Sequence, residues 1–498
     1  MNQSDVRALL HRRGICVIIP TYNNVGTVGR VVSDVLDYCQ DVFVVDDGST
    51  DGTTAVLQTI AGIHHIHYDR NRGKGHALKV GFKTALAAGF AYAITMDADG
   101  QHSASDIPAF LDANRRWPGS LILGSRSVRG TAEAKGSRFA NSFSNFWFCV
   151  QTFHRLSDTQ TGFRLYPLKR LYGYRFITAR YEAELELLVF ASWHGVALHS
   201  IPINVYYPPK EERVSHFRPG LDFTRISILN TFLCILALVY GLPLFLLRTA
   251  ATILRMLAAV LFLVLPLVCI FTPMVKIYFS IGKATEAKKR WLHRLMYRVL
   301  RFAALVIGAL GVRFRNHISS DTDFTQPSVI ICNHQSQLDL IYLLTLTPRL
   351  IFLTNDRIWN NPYYGFIIRH AEYYPVSRGI TDLMPHFESL VKRGYSIAIF
   401  PEGTRSADLQ IGSFHRGAAF VADELGINIK PLLLYGTGRA LHKHSLVLHS
   451  NKVCLESKPV ITPEELQTKG GLKQQTRYLQ DMYVDWLSEV SDKMDREV

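Results

Sequence analysis

Between residue 15 and about residue 225, short apolar runs recur, separated by stretches of helix length. Cys16–Pro20, Val42–Asp46, His64–Asp69, Tyr92–Asp97 and Leu121–Ser125 read as strands. Helical segments separate most of them, the order expected of a mainly parallel α/β sheet. The pattern then changes. Ile226–Leu247 runs 22 residues without a charge, and Met256–Val275 runs another 20. Each is long enough to cross ~30 Å of hydrocarbon at ~1.5 Å per residue. Arg248 and Arg255 carry the only charges in the link between them. From 290 to 312 arginines interleave with apolar residues. Arg294, Arg298 and Arg301 recur at spacings of four and three and so share one helix face. Such a basic amphipathic helix suits an anionic membrane surface. Alternation resumes afterwards, with strands expected at Val329–Cys332, Leu350–Leu353, Ser396–Phe400 and Ile429–Tyr435.

The expected fold class is therefore α/β in two domains, residues 1–225 and 290–498. A membrane-embedded hairpin with a basic linker, 226–289, joins them. Lys276–Asn316 holds ten basic residues and one acidic residue, Glu286. Lys/Arg excess marks the cytoplasmic side, so both domains are expected on the cytoplasmic face of the inner membrane. The N-terminal stretch MNQSDVRALLHRRG has no apolar core of signal-peptide length, in keeping with that orientation. Pro243 and Pro266 lie inside the runs and predict kinked spans or a hairpin that only dips in. Two buried helices of a soluble domain would meet the length criterion alone, but membrane attachment is the stronger reading.

Composition refines this picture. Hydrophobic residues make up 48% and charged residues 19% of the 498, and the apolar excess is local. A net charge of +14 suits anionic lipid, phosphorylated substrates or nucleic acid. The densest basic run adjoins the apolar spans, so lipid is the expected partner and nucleic acid is not. Seven scattered cysteines without a Cys-x-x-Cys pair argue against a disulfide framework or structural zinc site, and for a reducing compartment.

Two regions carry chemistry. In the first, β-strands run into Pro20-Thr-Tyr-Asn-Asn24 and VVDDGSTDGT, placing carboxylates where ligands bind in open α/β sheets. Asp46 and Asp47, followed by Gly48, could hold a ribose or base; an Asp-Gly turn capping the next helix would look the same. The fourth strand ends in Met96-Asp97-Ala98-Asp99-Gly100-Gln101-His102. Asp97 and Asp99, two apart on extended chain, project to one side and can share a hard divalent cation. A diphosphate leaving group needs such a cation as negative charge builds on it. Arg70-Asn-Arg-Gly-Lys-Gly75 is a basic, glycine-containing loop able to reach a phosphate.

This ordered set is IIPTYNN, VVDDGSTDGT, NRGKGHAL, MDADGQH, LGSR and Asp158-Thr-Gln-Thr-Gly-Phe-Arg164. Over about 15–215 it resembles an inverting family 2 glycosyltransferase of the GT-A, Rossmann-like fold, in its polyprenyl-phosphate sugar transferase branch. The resemblance implies that Pro20, Tyr22, Asp47 and Lys74 line the nucleotide-sugar site, with Asp46 and Asp97 beside them. It implies Asp97, Asp99 and Gln101 as organisers of Mg²⁺ or Mn²⁺. Arg126 and Arg138 match positions that meet an acceptor phosphate. Such a phosphate needs little help from a base; for a hydroxyl acceptor, Asp158 is the candidate base. Asn23-Asn24 departs from the family pattern, where a glutamate is usual. Glu182, Glu184 and Glu186 are expected on a helix, in keeping with a solvated side, and no role is assigned to them.

In the second region SVIICNH runs into Asn333-His334-Gln-Ser-Gln-Leu-Asp339. Acyl transfer needs a base for an acceptor hydroxyl attacking a thioester. A neutral histidine serves when a carboxylate fixes its tautomer. Five residues along a regular helix put side chains ~140° apart, so His334 is expected in the turn and Asp339 in the first helical turn, reaching back. The motif has companions: Tyr374-Pro-Val-Ser-Arg378, Pro401-Glu-Gly-Thr-Arg-Ser406, Phe414-His-Arg-Gly-Ala418 and Ile429-Lys-Pro-Leu-Leu433. In this order, over about 290–460, they resemble the lysophosphatidic-acid/glycerolipid acyltransferase family. The resemblance implies His334 as base and Asp339 as its orienter. It places Glu402, Gly403, Thr404 and Arg405 in acceptor binding with Arg378 assisting, implies acyl-CoA or acyl-ACP as donor, and asks for no cofactor.

The expected function is a bifunctional membrane enzyme adding a sugar and an acyl chain to a lipid acceptor, in glycolipid or acylated pigment-lipid assembly. Two independent activities on different lipids, or a membrane scaffold with dead sites, are the alternatives. The intact Asp97/Asp99 and His334/Asp339 pairs speak against the scaffold.

Overall fold

Side chains alternate across a β-strand, and in the N-terminal unit that alternation feeds two cores. From the first strand, Ile15, Val17 and Ile19 enter one core, and Cys16 and Ile18 enter the other. A strand buried on both faces has no polar side to show, hence its continuous apolar run. The computed structural model describes residues 2–126, 134–174, 177–206, 219–320, 322–406 and 408–496. The chain forms two compact units, Met1–Arg248 with Asp492–Val498, and Thr249–Ser491.

The first unit holds seven strands: β1 (Ile15–Thr21), β2 (Val42–Asp46), β3 (Ile63–His67), β4 (Tyr92–Thr95), β5 (Leu121–Arg126), β6 (Arg164–Pro167) and β7 (Leu198–Ile203). Their order is β3-β2-β1-β4-β6-β5-β7. β3, β2, β1 and β4 run parallel, whereas β6 lies antiparallel to both β4 and β5. Helix Glu182–Trp193 packs its apolar residues into the second core, together with Leu229, Leu233 and Ala237. Arg13, buried beside the first strand, pairs with Asp492 and Asp495 at 2.8 Å each.

The second unit holds β8 (Val312–His317), β9 (Val329–Cys332), β10 (Leu350–Thr354), β11 (Tyr374–Pro375), β12 (Ser396–Ile399), β13 (Ile429–Tyr435) and β14 (Asn451–Ser457). Their order is β11-β10-β12-β9-β13-β14-β8, parallel except where β13 meets β14. Every strand expected from the sequence forms within two residues of its expected ends.

The hairpin does not form. Residues 219–280 make one helical run, with π-helical segments at Ala237–Gly241, Val260–Val264 and Pro266–Phe271. The link Arg248–Arg255 contains neither glycine nor proline, only residues that sit readily in a helix, so nothing there specifies a turn. Pro243 follows one π segment and Pro266 begins another. A local π turn accommodates a ring that cannot donate to the i−4 carbonyl and would clash with it. Over Phe223–Ser280 this helix is long and apolar enough to cross a membrane, and its most apolar window has none of its residues buried. Its middle bares Leu238, Leu247, Leu254, Leu257 and Ile270, each more than 60% exposed. Near its end Phe271, Val275 and Phe279 are buried.

Candidate active sites

In the first unit the chemistry gathers at the carboxyl ends of β1, β2 and β4. Asp47 follows β2 and accepts the main-chain N–H groups of Arg72 (2.8 Å) and Gly73 (2.7 Å). It thereby fastens the basic glycine-containing loop to the sheet. Burial pushes its carboxyl up, with the two amides opposing. Gly48 has φ +74°, and a Cβ there would lie 2.7 Å from the main chain of Arg70, so the loop crosses directly over it. The backbone that approaches this glycine is the protein's own.

Asp46 is a correction. Expected to touch the donor, it has no exposed surface. Its oxygens accept the Ser49 N–H (3.0 Å) and the Thr54 hydroxyl (2.5 Å), and one lies 3.1 Å from His67 Nδ1. Burial opposes its ionisation, but these bonds outweigh burial and hold it below the usual carboxylate range. Pro20 is buried in β1, and Tyr22 is half-buried just beyond it. The departure at Asn23-Asn24 has a local reason. Asn23 sits at φ +52°, which asparagine tolerates, and its side chain accepts the Thr50 N–H at 2.8 Å. Asn24 donates to Thr21 Oγ1 at 3.1 Å.

Lys74, the first residue of helix Lys74–Ala87, bridges Asp97 (2.7 Å) and Glu184 (2.9 Å). Burial alone would lower the ammonium; the two carboxylates outweigh it and hold it charged. Burial likewise opposes ionisation of Asp97, yet Lys74 and then His102 keep it below its ordinary value. Asp99 goes the other way, pushed up to about 6 by burial and then by the charge of Asp97. Two adjacent carboxylates that repel in this way suit a divalent cation. Two further observations fit one. His102 Nδ1 is buried without a hydrogen-bond partner among the described residues. At Gly162 a Cβ would lie 2.3 Å from Asp97 Oδ2, so the absence of a side chain there leaves the carboxylate its room. Gln101 meets Asp99 through its main-chain N–H, at 3.0 Å.

Asp158 is the second correction. It is 1% exposed and grips Arg126 in a fork, Nε to Oδ2 at 2.6 Å and Nη2 to Oδ1 at 2.9 Å, while also accepting the Gln160 N–H. A carboxylate so occupied is a poor general base and a good clamp for a guanidinium. The side chain of Arg138 lies outside the described residues. The three glutamates overturn their expected solvated side: Glu182, Glu184 and Glu186 are all buried. Glu186 holds the N–H groups of Ile177 (2.7 Å) and Thr178 (2.8 Å). Glu184 completes the Lys74–Asp97 cluster and was missed because its partners lie about a hundred residues away in sequence.

In the second unit the turn after β9 carries His334, and Asp339 sits in the first turn of helix Leu338–Leu344, as the spacing predicts. His334 Nδ1 lies 2.9 Å from Asp339 Oδ2, which also accepts the N–H groups of Gln335 and Ser336 at 2.7 Å each. Asp339 is fully buried and its Oδ1 has no hydrogen-bond partner among the described residues. The His334 ring stacks on Phe400, centroids 4.0 Å apart. Asn333 ties the turn to β13 through bonds of 2.8 and 2.9 Å with the main chain of Leu434.

Glu402, expected in acceptor binding, is a third correction. It is 5% exposed, with Oε1 accepting the His334 N–H (2.8 Å) and Oε2 the Gly412 N–H (2.9 Å). It positions the histidine from behind. Gly403 (φ +66°) and Thr404 are exposed beside it, and Arg405 is half-buried with its carbonyl accepting the Lys443 ammonium at 2.6 Å. Arg378 is exposed and stacks over Trp359, 4.9 Å from the ring centroid. His334 and Gly403 open on a cavity of about 930 Å³ whose walls include Leu267, Phe271, Met296, Leu300, Phe352 and Phe400. Two of these, Leu267 and Phe271, come from the end of the long apolar helix.

Residues 16–172 match the family description Glycosyl transferase family 2, and residues 312–435 match Acyltransferase. The chain is 35% identical over 148 residues to the chloroplastic 1-acyl-sn-glycerol-3-phosphate acyltransferase LPAT1 of Arabidopsis thaliana, covering 28% of this chain and 40% of that protein. It is 34% identical over 164 residues to polyprenol monophosphomannose synthase of Mycolicibacterium smegmatis, covering 30% and 60%. It is 26% identical over 216 residues to UDP-N-acetylglucosamine–dolichyl-phosphate N-acetylglucosaminyltransferase of Methanococcus voltae, covering 39% and 86%. The chain thus spans less than half the length of the plant acyltransferase it matches.

Proposed function

We propose that this chain, which joins a family 2 glycosyl transferase domain to an acyltransferase domain, is a bifunctional membrane enzyme of lipid assembly. One site moves a sugar from a nucleotide-sugar to a lipid-phosphate acceptor. The other moves an acyl chain from acyl-CoA or acyl-ACP to a hydroxyl of a glycolipid or related lipid. The observation that carries this reading is the His334–Asp339 pair at 2.9 Å opening on a cavity of about 930 Å³ with an apolar wall. A base beside so large an apolar space suits a long-chain acyl donor.

With Nδ1–H held by Asp339, Nε2 of His334 takes the proton of the acceptor hydroxyl. The oxygen attacks the thioester carbonyl carbon, the C–S bond breaks, and the imidazolium returns the proton to the departing thiolate. Asp339 stabilises the imidazolium in between, and Glu402 holds the turn that aims the ring. Arg378 and Arg405 are the cations proposed to meet an acceptor phosphate.

At the sugar site Tyr22, Asp47, Lys74 and the loop fastened by Asp47 are proposed to line the donor. A Mg²⁺ or Mn²⁺ ion held by Asp97 and Asp99 would neutralise charge building on the departing nucleoside diphosphate. The Arg126–Asp158 fork favours an acceptor that is already anionic: it presents a fixed guanidinium and leaves no spare base. The exposed apolar middle of the long helix, with exposed Arg294, Arg298 and Arg301 on helix Glu286–Ala309, supports association with an anionic membrane. Because both donors are soluble and intracellular, both sites are proposed to work at the cytoplasmic face.

The test uses the full-length protein in detergent or nanodiscs, with polyprenyl phosphate and a nucleotide-sugar panel, and separately with lysophospholipid and acyl-CoA. His334→Ala should abolish acyl transfer and spare sugar transfer, and Asp99→Ala the reverse. Sugar transfer insensitive to Asp99→Ala, or acyl transfer insensitive to His334→Ala, would overturn the assignment.

A further inference from the structure

A second cluster of metal-ligand type lies apart from Asp97 and Asp99, on the edge of the first sheet. β3 is the edge strand and pairs in parallel with β2, with His67 opposite Asp46 and His65 opposite Val44. Residues two apart on a strand share a face, so both imidazoles stand on the side where Asp46 turns its carboxylate. Asp46, His65 and His67 each offer a ligand atom, and these atoms lie within 4.8 Å of one another. Among the described residues no other group of three or more histidines, cysteines or carboxylates does so.

Three features suggest a built site rather than a chance grouping. The Asp46 Oδ2 to His67 Nδ1 distance is 3.1 Å. Two ligands at ~2.0–2.1 Å from a tetrahedral ion lie about 3.3 Å apart, so this pair is already at ligand spacing. His65 Nε2 is buried and has no hydrogen-bond partner among the described residues, an expensive state for a ring nitrogen unless something fills it. Asp46 is aimed from behind by the Ser49 N–H at 3.0 Å and the Thr54 hydroxyl at 2.5 Å, the outer-shell support that ligating carboxylates usually have. His67 is about one-third exposed, which provides a way in.

We infer that Asp46, His65 and His67 form a site for a borderline divalent ion of the Zn²⁺ class, distinct from the hard-cation site at Asp97 and Asp99. The donor sets differ in kind. Two imidazoles and a carboxylate select Zn²⁺, Co²⁺ or Ni²⁺, whereas a site led by two carboxylates suits Mg²⁺ or Mn²⁺. The cysteine pattern does not bear on this site, since no thiolate takes part. An ion here would pin the edge strand to the end of β2, one residue before Asp47, and so stiffen the turn that fastens the 72–73 loop.

The experiment equilibrates full-length protein in detergent with Zn²⁺ or Co²⁺, removes loose metal by gel filtration, and counts bound metal by elemental analysis. Visible absorption of the Co²⁺ form reports nitrogen–oxygen ligation. One equivalent should bind to the wild type and to Asp99→Ala. His65→Gln and His67→Gln, checked for unchanged circular dichroism, should each lose at least tenfold in affinity. Thr54→Val, which removes only outer-shell support, should lose on the order of tenfold. Absence of bound metal in the wild type would overturn the site. So would binding that survives His65→Gln and His67→Gln, or that disappears in Asp99→Ala. Because the readout is metal content, failure here leaves the sugar-transfer reading untouched.

Discussion

At the scale of single residues the two sites differ in how local they are. His334 and Asp339 lie five apart across one strand-to-helix junction, so spacing places the first in the turn and the second in the helix, while their acting as a pair was legible only with the companion motifs. The proposed sugar site is assembled from residues 47, 74, 97, 158 and 184, and its pairings could not be read from any one segment. Hence Glu184 looked solvated when it is buried against Lys74, and Asp158 looked like a base when Arg126 occupies it. Glu402 was legible as a member of a motif, but its job behind the histidine appears only with the fold. Asp339→Asn keeps the shape but leaves the imidazole in the wrong tautomer. Acyl transfer should fall about 10³- to 10⁴-fold with little change in stability, measured by turnover and thermal melting. Gly162→Ala brings a methyl group to within 2.3 Å of the Asp97 carboxylate. Sugar transfer and Mn²⁺ binding should both drop at least tenfold while acyl transfer is retained; equal loss of both activities would point to misfolding instead.

Elements were read with uneven success. Eight of the nine expected strands are apolar runs buried over most of their length, whereas β3 is a partly exposed edge strand with three histidines that stands through its pairing with β2. The β6, β7, β8, β11 and β14 segments escaped: β6 opens on Arg164 and is four residues long, β7 carries His199 and Pro202, β8 alternates with Arg313 and Arg315, β11 is two residues long, and β14 opens on Asn-Lys. The hairpin failed because two charges in a link do not make a turn when no glycine or proline is there to specify one. Helix Glu286–Ala309 makes a testable contribution of its own. His293, on its inner face, is 4% exposed, and burial pushes its imidazole down to about 4, with Glu372 and Glu286 opposing and Arg393 adding to the shift. Tyr373 and Tyr395 line the same space. Above pH 6.5 the ring is neutral whether the chain is folded or not, and its contribution is complete. As pH falls from about 6.5 to about 4, the unfolded chain gains a proton that the folded one refuses, so stability falls. The loss is on the order of 3 kcal/mol by pH 4. His293→Met should flatten this part of the pH–stability curve in chemical denaturation; an unchanged slope would remove the histidine from the account.

Across the whole molecule, a domain matching family 2 glycosyl transferases, a domain matching acyltransferases and an apolar helix on one chain suit the proposed reactions, whose intermediate would stay in a membrane. Fusion raises the effective concentration of that intermediate if the second site can reach it. The exposed leucines of the long helix are the proposed anchor. Wild-type protein should sediment with membranes through high salt. A variant with Leu254, Leu257 and Leu261 replaced by Gln should shift toward the soluble fraction, and release of the wild type by salt alone would reduce the attachment to surface charge. The most direct test of the joint pathway is lipid analysis of cells expressing Asp99→Ala or His334→Ala separately. The account predicts one lipid species that lacks its sugar in the first strain and its acyl chain in the second. Two unrelated lipids, each altered in only one strain, would contradict it.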